Sequence, residues 1–162
     1  MNICIFGTSF LPKAGGKEYV MHNLGNELVE LGHDVTVIAI RVSWSRPAEH
    51  GKYDLRRYSL PVKGAGKIGL NLAGALLTVA LEHRKKHFDL IHCHGVSRAG
   101  TWARYLKKML GIPVVMTPHG EDIQKIPAIG YGMRLDSNWD RIITRNIRAA
   151  DAITAISRSI RQ

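Results

Sequence analysis

The chain has 162 residues, 45% hydrophobic and 22% charged, and its 23 Lys plus Arg outnumber 13 Asp plus Glu for a formal net charge of +10. That length suits one domain with a real core, and that balance excludes a disordered chain, a collagen-like repeat and a disulfide-stapled miniprotein. The longest weakly charged stretch, 68–81, is interrupted by Gly69, Asn71, Gly74 and Thr78 and is shorter than the ~20 apolar residues of a membrane span.

No basic region precedes the apolar run at the N-terminus, so no secretory signal is expected and the expected compartment is the cytoplasm. Cys4 and Cys93 sit in apolar, strand-like runs without CxxC spacing and read as small buried thiols. The positive charge is local. Residues 41–67 and 81–110 each hold seven basic and two acidic side chains, and 141–162 hold five and one, whereas 1–40 and 111–140 each hold two and four. Such patches suit a solvated face, an anionic lipid headgroup or a phosphorylated substrate. Nucleic acid is not expected, because that reading rests on charge alone.

In chain order, residues 2–8 predict a strand buried on both faces, followed by a loop with Pro12, Gly15 and Gly16. From Lys17 the apolar positions Val20, Met21, Leu24, Leu28 and Leu31 keep helical spacing, and Gly32 stops the helix. Residues 35–40 predict the next strand, so the chain opens β-α-β with the length of a parallel crossover. Residues 55–60 read as a third strand, and 67–86 as a helix apolar nearly all round, ending in Arg84, Lys85 and Lys86 where cations complement its dipole. A strand follows at 89–94. Ala99, Trp102, Ala103, Leu106, Met109 and Leu110 then define a helix closed by Gly111. A fifth strand at 113–117, a helix through Trp139, Ile142, Ile143 and Ile147 capped by Asp136 or Ser137, and a last strand at 152–156 complete the order. Ser157 caps a helix that the sequence barely begins, which implies a fragment cut near a domain boundary. This alternation gives an α/β class with a doubly wound, mainly parallel Rossmann-like sheet.

Ligands of such sheets bind outside the C-terminal strand ends, and three loops there are chemically unusual. Pro12-Lys13-Ala14-Gly15-Gly16-Lys17-Glu18 lets the backbone approach a ligand, and the helix behind it points free N–H groups at an anion. It matches neither GxGxxG nor GxxxxGK[ST], and its bland reading is a flexible connection. In His92-Cys93-His94-Gly95 the two histidines share a strand face, but no acidic or thiol ligand at suitable spacing completes a zinc site. The reading is that His92 packs within the sheet and His94 reaches the cleft. Thr117-Pro118-His119-Gly120-Glu121-Asp122 places an imidazole to hydrogen-bond a polar substrate, while Glu121 and Asp122 are explained as well by a short helix start.

Taken together, Pro12-x-x-Gly15-Gly16-x-Glu18, Gly32-His33-Asp34-Val35 after 28–31, residues 88–94, Thr117-Pro118-His119-Gly120 and residues 150–157 resemble the N-terminal domain of retaining GT-B glycosyltransferases of family 4, also called group 1. The resemblance spans the chain in the family's order. It implies two facing Rossmann-like halves, of which the donor-binding C-terminal half is absent from residues 1–162, leaving a fragment inactive alone. It implies a nucleotide-sugar donor, a sugar, lipid-linked or small-molecule acceptor, and no metal or other cofactor. Gly15 and Gly16 correspond to the loop that closes over the donor phosphates, His119 to the histidine near the reacting sugar with Gly120 leaving room beside it, and His94 and Glu18 to acceptor-side positions. A contact of the basic segments 41–67 and 81–110 with an anionic membrane face fits a lipid-linked acceptor. The alternative is a non-catalytic α/β domain whose glycine loop holds a phosphate-bearing small molecule.

Overall fold

The computed structural model describes residues 1–13, 15–40, 51–58 and 67–161. Its elements are β1 (Asn2–Gly7), α1 (Gly16–Glu30), β2 (Asp34–Ile40), β3 (Asp54–Tyr58), α2 (Lys67–Lys86), β4 (Leu90–His94), α3 (Arg98–Leu110), β5 (Val114–Thr117), α4 (Ser137–Ala149), β6 (Ala152–Ile153) and a short α5 (Arg158–Arg161). Two 3-10 turns, Pro127–Ile129 and Met133–Leu135, lie between β5 and α4.

All six strands run parallel in the order β3-β2-β1-β4-β5-β6. The order reverses between β1 and β4, and a crevice opens at that point because the helices after these two strands leave to opposite sides. Along β1, alternate residues face alternate layers. Ile3 and Ile5 join Phe10, Met21, Val35 and Val37 beneath α1, while Cys4 and Phe6 join Ile38, Ile91, Cys93, Val114 and Met116 beneath α2, α3 and α4. Both cysteines are buried and free, as their apolar surroundings in the sequence predict.

Gly32 (φ +84°) and Gly111 (φ +70°) take the left-handed conformation at the ends of α1 and α3. At the first of these, His33 N–H closes onto Leu28 O and Gly32 N–H onto Val29 O, satisfying carbonyls the helix leaves open. Asp136, one of the two predicted caps, accepts N–H bonds from Asn138 and Trp139 at the start of α4. Two expectations need correction. Leu31 is 72% exposed, because the chain has already turned at the end of α1 and carries it off the apolar stripe. The last strand is two residues long where 152–156 were expected, since Thr154 N–H makes the final bond to Met116 O and the chain then bends away. The predicted strand residues 59–60, and most of the basic segment 41–67, lie outside the described residues.

Candidate functional site

A cleft of about 380 Å³ opens at the switch point and is lined by Thr8, Gly16, Lys17, Glu18, His94, Gly95, Ser97, Ala99, His119, Glu121, Asp122 and Met133. The three loops singled out in the sequence therefore meet at one place. Gly16 begins α1, and a Cβ built there would meet nothing within 4 Å. The first backbone N–H groups of a helix have no intrahelical partner, so this wall offers open space and donors together. Gly15 differs: its backbone is extended (φ −170°), and a Cβ there would lie 2.5 Å from the Glu18 carboxylate. Glu18 is buried, accepts the Ser9 hydroxyl at 2.5 Å and lies 3.9 Å from the Lys17 ammonium. Much of its carboxylate is thus committed to holding the glycine loop against α1.

The opposite wall is built of histidines. Register places His92 beside Ile5 and His94 beside Gly7, on the α1 side of the sheet. Their rings stack at 4.6 Å between centroids, and His119, from the end of β5, stacks on His94 at 5.2 Å. His94 Nδ1 and His119 Nε2 share a hydrogen bond of 3.0 Å. His92 Nε2 bonds the Thr117 hydroxyl at 2.7 Å, which in turn meets the Thr154 hydroxyl at 2.5 Å. Burial pushes all three imidazoles down, His92 to about 4 and His94 further still, and the neighbouring rings add to the effect on both; His119, at the mouth, is also lowered. The column is neutral at physiological pH.

As the sequence led one to expect, His92 packs within the sheet and His94 reaches the cleft. His94 is 1% exposed and forms the floor of the cleft beneath His119, while His92 keeps partial exposure lower on the strand. Two residues that share a face of one strand are stacked along it, so the cap provided by His119 falls on the nearer ring. Among the described residues, no group of three or more His, Cys, Asp or Glu side chains is arranged to hold a metal ion.

Asp122 does something the sequence did not signal. Its carboxylate is buried and accepts the backbone N–H of Val96 and of His119, each at 2.8 Å, so it ties the loop after β4 to the loop after β5. It does not start a helix: residues 121–123 form a turn closed by Ile123 and Gln124 N–H on Gly120 O. Gly95 (φ +106°) and Gly120 (φ +105°) make the two turns that bring these loops together, a conformation L side chains rarely adopt. Asn146 of α4, fully buried, fastens the same region by donating to Val96 O, Ser97 O and the Thr101 hydroxyl. Neither Asp122 nor Asn146 stands out in the sequence, because a single polar residue bonded to backbone leaves no periodic trace.

Much of the basic charge expected to form a patch is paired. Lys86 bridges Asp34 (2.8 Å) and Asp54 (2.7 Å), Lys85 and Arg56 meet Glu82, Lys52 pairs with Glu30, and Lys107 with Asp151 (2.7 Å). Among the described residues, Arg84, Arg98, Arg104 and Lys108 of segment 81–110 make no ion pair, nor do Lys125 and the α4 residues Arg141, Arg145 and Arg148, which line an open groove. No helix among the described residues is long and apolar enough to cross a membrane.

Comparison with known proteins gives this arrangement relatives. The sequence model of Glycosyltransferase Family 4 matches residues 14–162. The N-acetyl-alpha-D-glucosaminyl L-malate synthase of Bacillus anthracis is 27% identical over an alignment of 161 positions that covers 95% of this chain and 39% of that protein. Among solved structures, a sucrose-phosphate synthase from Thermosynechococcus elongatus superposes with a TM-score of 0.69 at 16% identity, over 94% of this chain and 42% of that one. A ugt transferase from Siraitia grosvenorii in complex with UDP gives 0.67 at 12% identity, over 96% of this chain and 44% of that one. The chain spans less than half the length of each of these three. The structural likeness is one of fold, and that fold is the expected Rossmann-like N-terminal half of a GT-B architecture.

Proposed function

Because the chain belongs to glycosyltransferase family 4, we propose that it forms the acceptor-side half of an enzyme that moves a sugar from a nucleotide-sugar donor to an acceptor with retention of anomeric configuration. In this reading a second half holds most of the nucleotide, no metal or other cofactor takes part, and residues 1–162 alone transfer no sugar. The donor's C–O bond to phosphate breaks as the new glycosidic bond forms on the same face, and the acceptor's proton passes to the leaving phosphate. UDP in the Siraitia grosvenorii neighbour supports the nucleotide part of the reading.

The observation that carries the proposal is the meeting of Gly16 and His119 across one cleft, with open backbone for a diphosphate on one wall and an imidazole for a sugar on the other. Glu18, His94 and Gly120 complete the walls and turn around these two, and Gly15 keeps room for the Glu18 carboxylate. The acceptor is a sugar, a lipid-linked carrier or another small molecule. For a lipid-linked acceptor, the unpaired Arg141, Arg145 and Arg148 of α4, together with those basic residues of segment 81–110 that make no ion pair, support a contact with an anionic bilayer.

The test is His119→Ala in the two-half enzyme. Loss of a polar contact worth ~1 to 3 kcal/mol in the transition state lowers transfer roughly tenfold to a hundredfold, with nucleotide affinity and thermal midpoint nearly unchanged. Near-normal turnover in the stably folded variant removes His119 from the site.

A further inference from the structure

His94 and His119 are joined by a hydrogen bond between two imidazole nitrogens, and such a bond holds a single proton. With both rings neutral, only two arrangements exist. In one, His94 carries its proton on Nδ1 and donates to a bare Nε2 of His119, whose own proton then sits on Nδ1. In the other, both rings are protonated on Nε2 and His119 donates. The choice turns on His94 Nε2, which is buried and has no hydrogen-bond partner among the described residues. The second arrangement places an N–H there with nothing to accept it, and orphaned buried N–H groups are rarer in folded proteins than under-used acceptors.

The charged groups that act on the pair are Lys17, which disfavours a second proton on either ring, and Glu18 and Asp122, which counter that effect at His119. Each ring carries one proton in both arrangements, so these charges do not choose between them and the unpartnered His94 Nε2 does. His92, stacked beneath, is neutral and already bonded to Thr117.

We propose that His94 is a positioning residue that fixes the tautomer of His119, with the shared proton on His94 Nδ1, so that His119 offers its substrate an Nδ1–H donor and not a base. Its partner is then an oxygen with a free lone pair, a sugar hydroxyl, carboxylate or phosphoryl oxygen, and His119 does not deprotonate the acceptor. This rests on the reading of His119 as the substrate-facing group, but the tautomer itself is measurable without substrate.

Ring-nitrogen NMR of the 15N-labelled protein at neutral pH reads it directly. Both His94 and His119 should show a protonated Nδ1 and a bare Nε2; protonated Nε2 on both overturns the assignment. His94→Asn keeps an N–H donor near the Nδ1 position, and His119 should stay in the Nδ1–H form. In His94→Phe it should relax to a mixture, and an unchanged His119 tautomer there removes the positioning role. In the two-half enzyme, His94→Phe should lower kcat roughly tenfold at unchanged donor KM, with most of the loss restored in His94→Asn. A tautomer that shifts in His94→Phe while kcat does not would leave the clamp intact and sink the placement of His119 against substrate instead.

Discussion

Acidifying the protein from pH 7.5 to 4.5 should destabilise it through the histidine column before its carboxylates matter. An imidazole whose folded pKa lies below its ordinary 6.5 contributes stability that is complete above 6.5 and is lost as pH falls toward the folded value. His92 is held down to about 4 and His94 lower still, both by burial first, so each continues to lose stability across the whole interval from 6.5 to 4.5. At 1.36 kcal/mol per pH unit, two units cost about 2 to 3 kcal/mol for each ring, before allowance for coupling between them. For a chain of this size 1 kcal/mol corresponds to about 2 to 4 °C, so the thermal midpoint should fall by about 10 °C or more. The carboxyls of Asp54, Glu82, Asp140 and Asp151 are also held low, but their contributions are lost below about 4.5, outside the window. Thermal midpoints at constant ionic strength, in the wild type and in His92→Gln, are the assay. Gln retains a partner for Thr117 without titrating and should remove roughly half of the fall. A midpoint that is flat between pH 7 and 4.5, or a fall of the same size in His92→Gln, refutes the reasoning.

Three substitutions separate support from contact with ligand. Gly16→Val should leave the thermal midpoint within about 2 °C, because its Cβ enters open space at ordinary backbone angles, while donor-dependent turnover of the two-half enzyme falls more than roughly tenfold; equal kinetics would make the loop a plain connection. Asp122→Ala strands the N–H groups of Val96 and His119 and should cost about 2 to 3 kcal/mol in urea unfolding, with His119 ring resonances shifted even in the folded state. Asn146→Leu leaves Val96 O and Ser97 O without their donor at a fully buried position, for about 2 to 4 kcal/mol; a loss under 1 kcal/mol would mean that water replaces the amide.

The order of elements was legible because two periods alternate cleanly. Strands such as residues 35–40 are apolar at every position but Thr36, and α3 carries its buried Ala99, Trp102, Ala103 and Leu106 at helical spacing. The element ends were legible where chemistry marks them, at Gly32, Gly111 and Asp136. What the sequence hid was depth. Val20, Leu31 and Met109 all fit apolar stripes yet are exposed, because spacing defines a face without saying whether another element covers it. His92 and His94 could be placed on one face from their spacing, but which of the two would be capped depended on where the loop after β5 returns, and that is set by Asp122 twenty-eight residues after His94.

On the proposed reading of a two-half enzyme, the charge of the cleft bears on how the work is divided. Its ionisable side chains are one ammonium, Lys17, and three carboxylates, Glu18, Glu121 and Asp122, while its histidines are neutral. Asp122 is spent on backbone N–H groups and Glu18 on Ser9, which leaves Lys17 and the open N-terminus of α1 as the favourable features for an anion. Against a diphosphate, one cation and a half-charge of helix dipole are too few to hold the group in water, where each surface contact is worth under about 1 kcal/mol. On the proposed reading this wall therefore guides the diphosphate without binding it, and most of the affinity must come from cations facing it across the interdomain cleft. The sugar is served differently. Neutral imidazoles and carboxylates recognise hydroxyl groups through directed hydrogen bonds that do not repel an uncharged ring, and the buried tie from Asp122 to both loops fixes their geometry before the ligand arrives. On the proposed reading, a half built this way would discriminate among sugars and acceptors and leave the nucleotide to a second half.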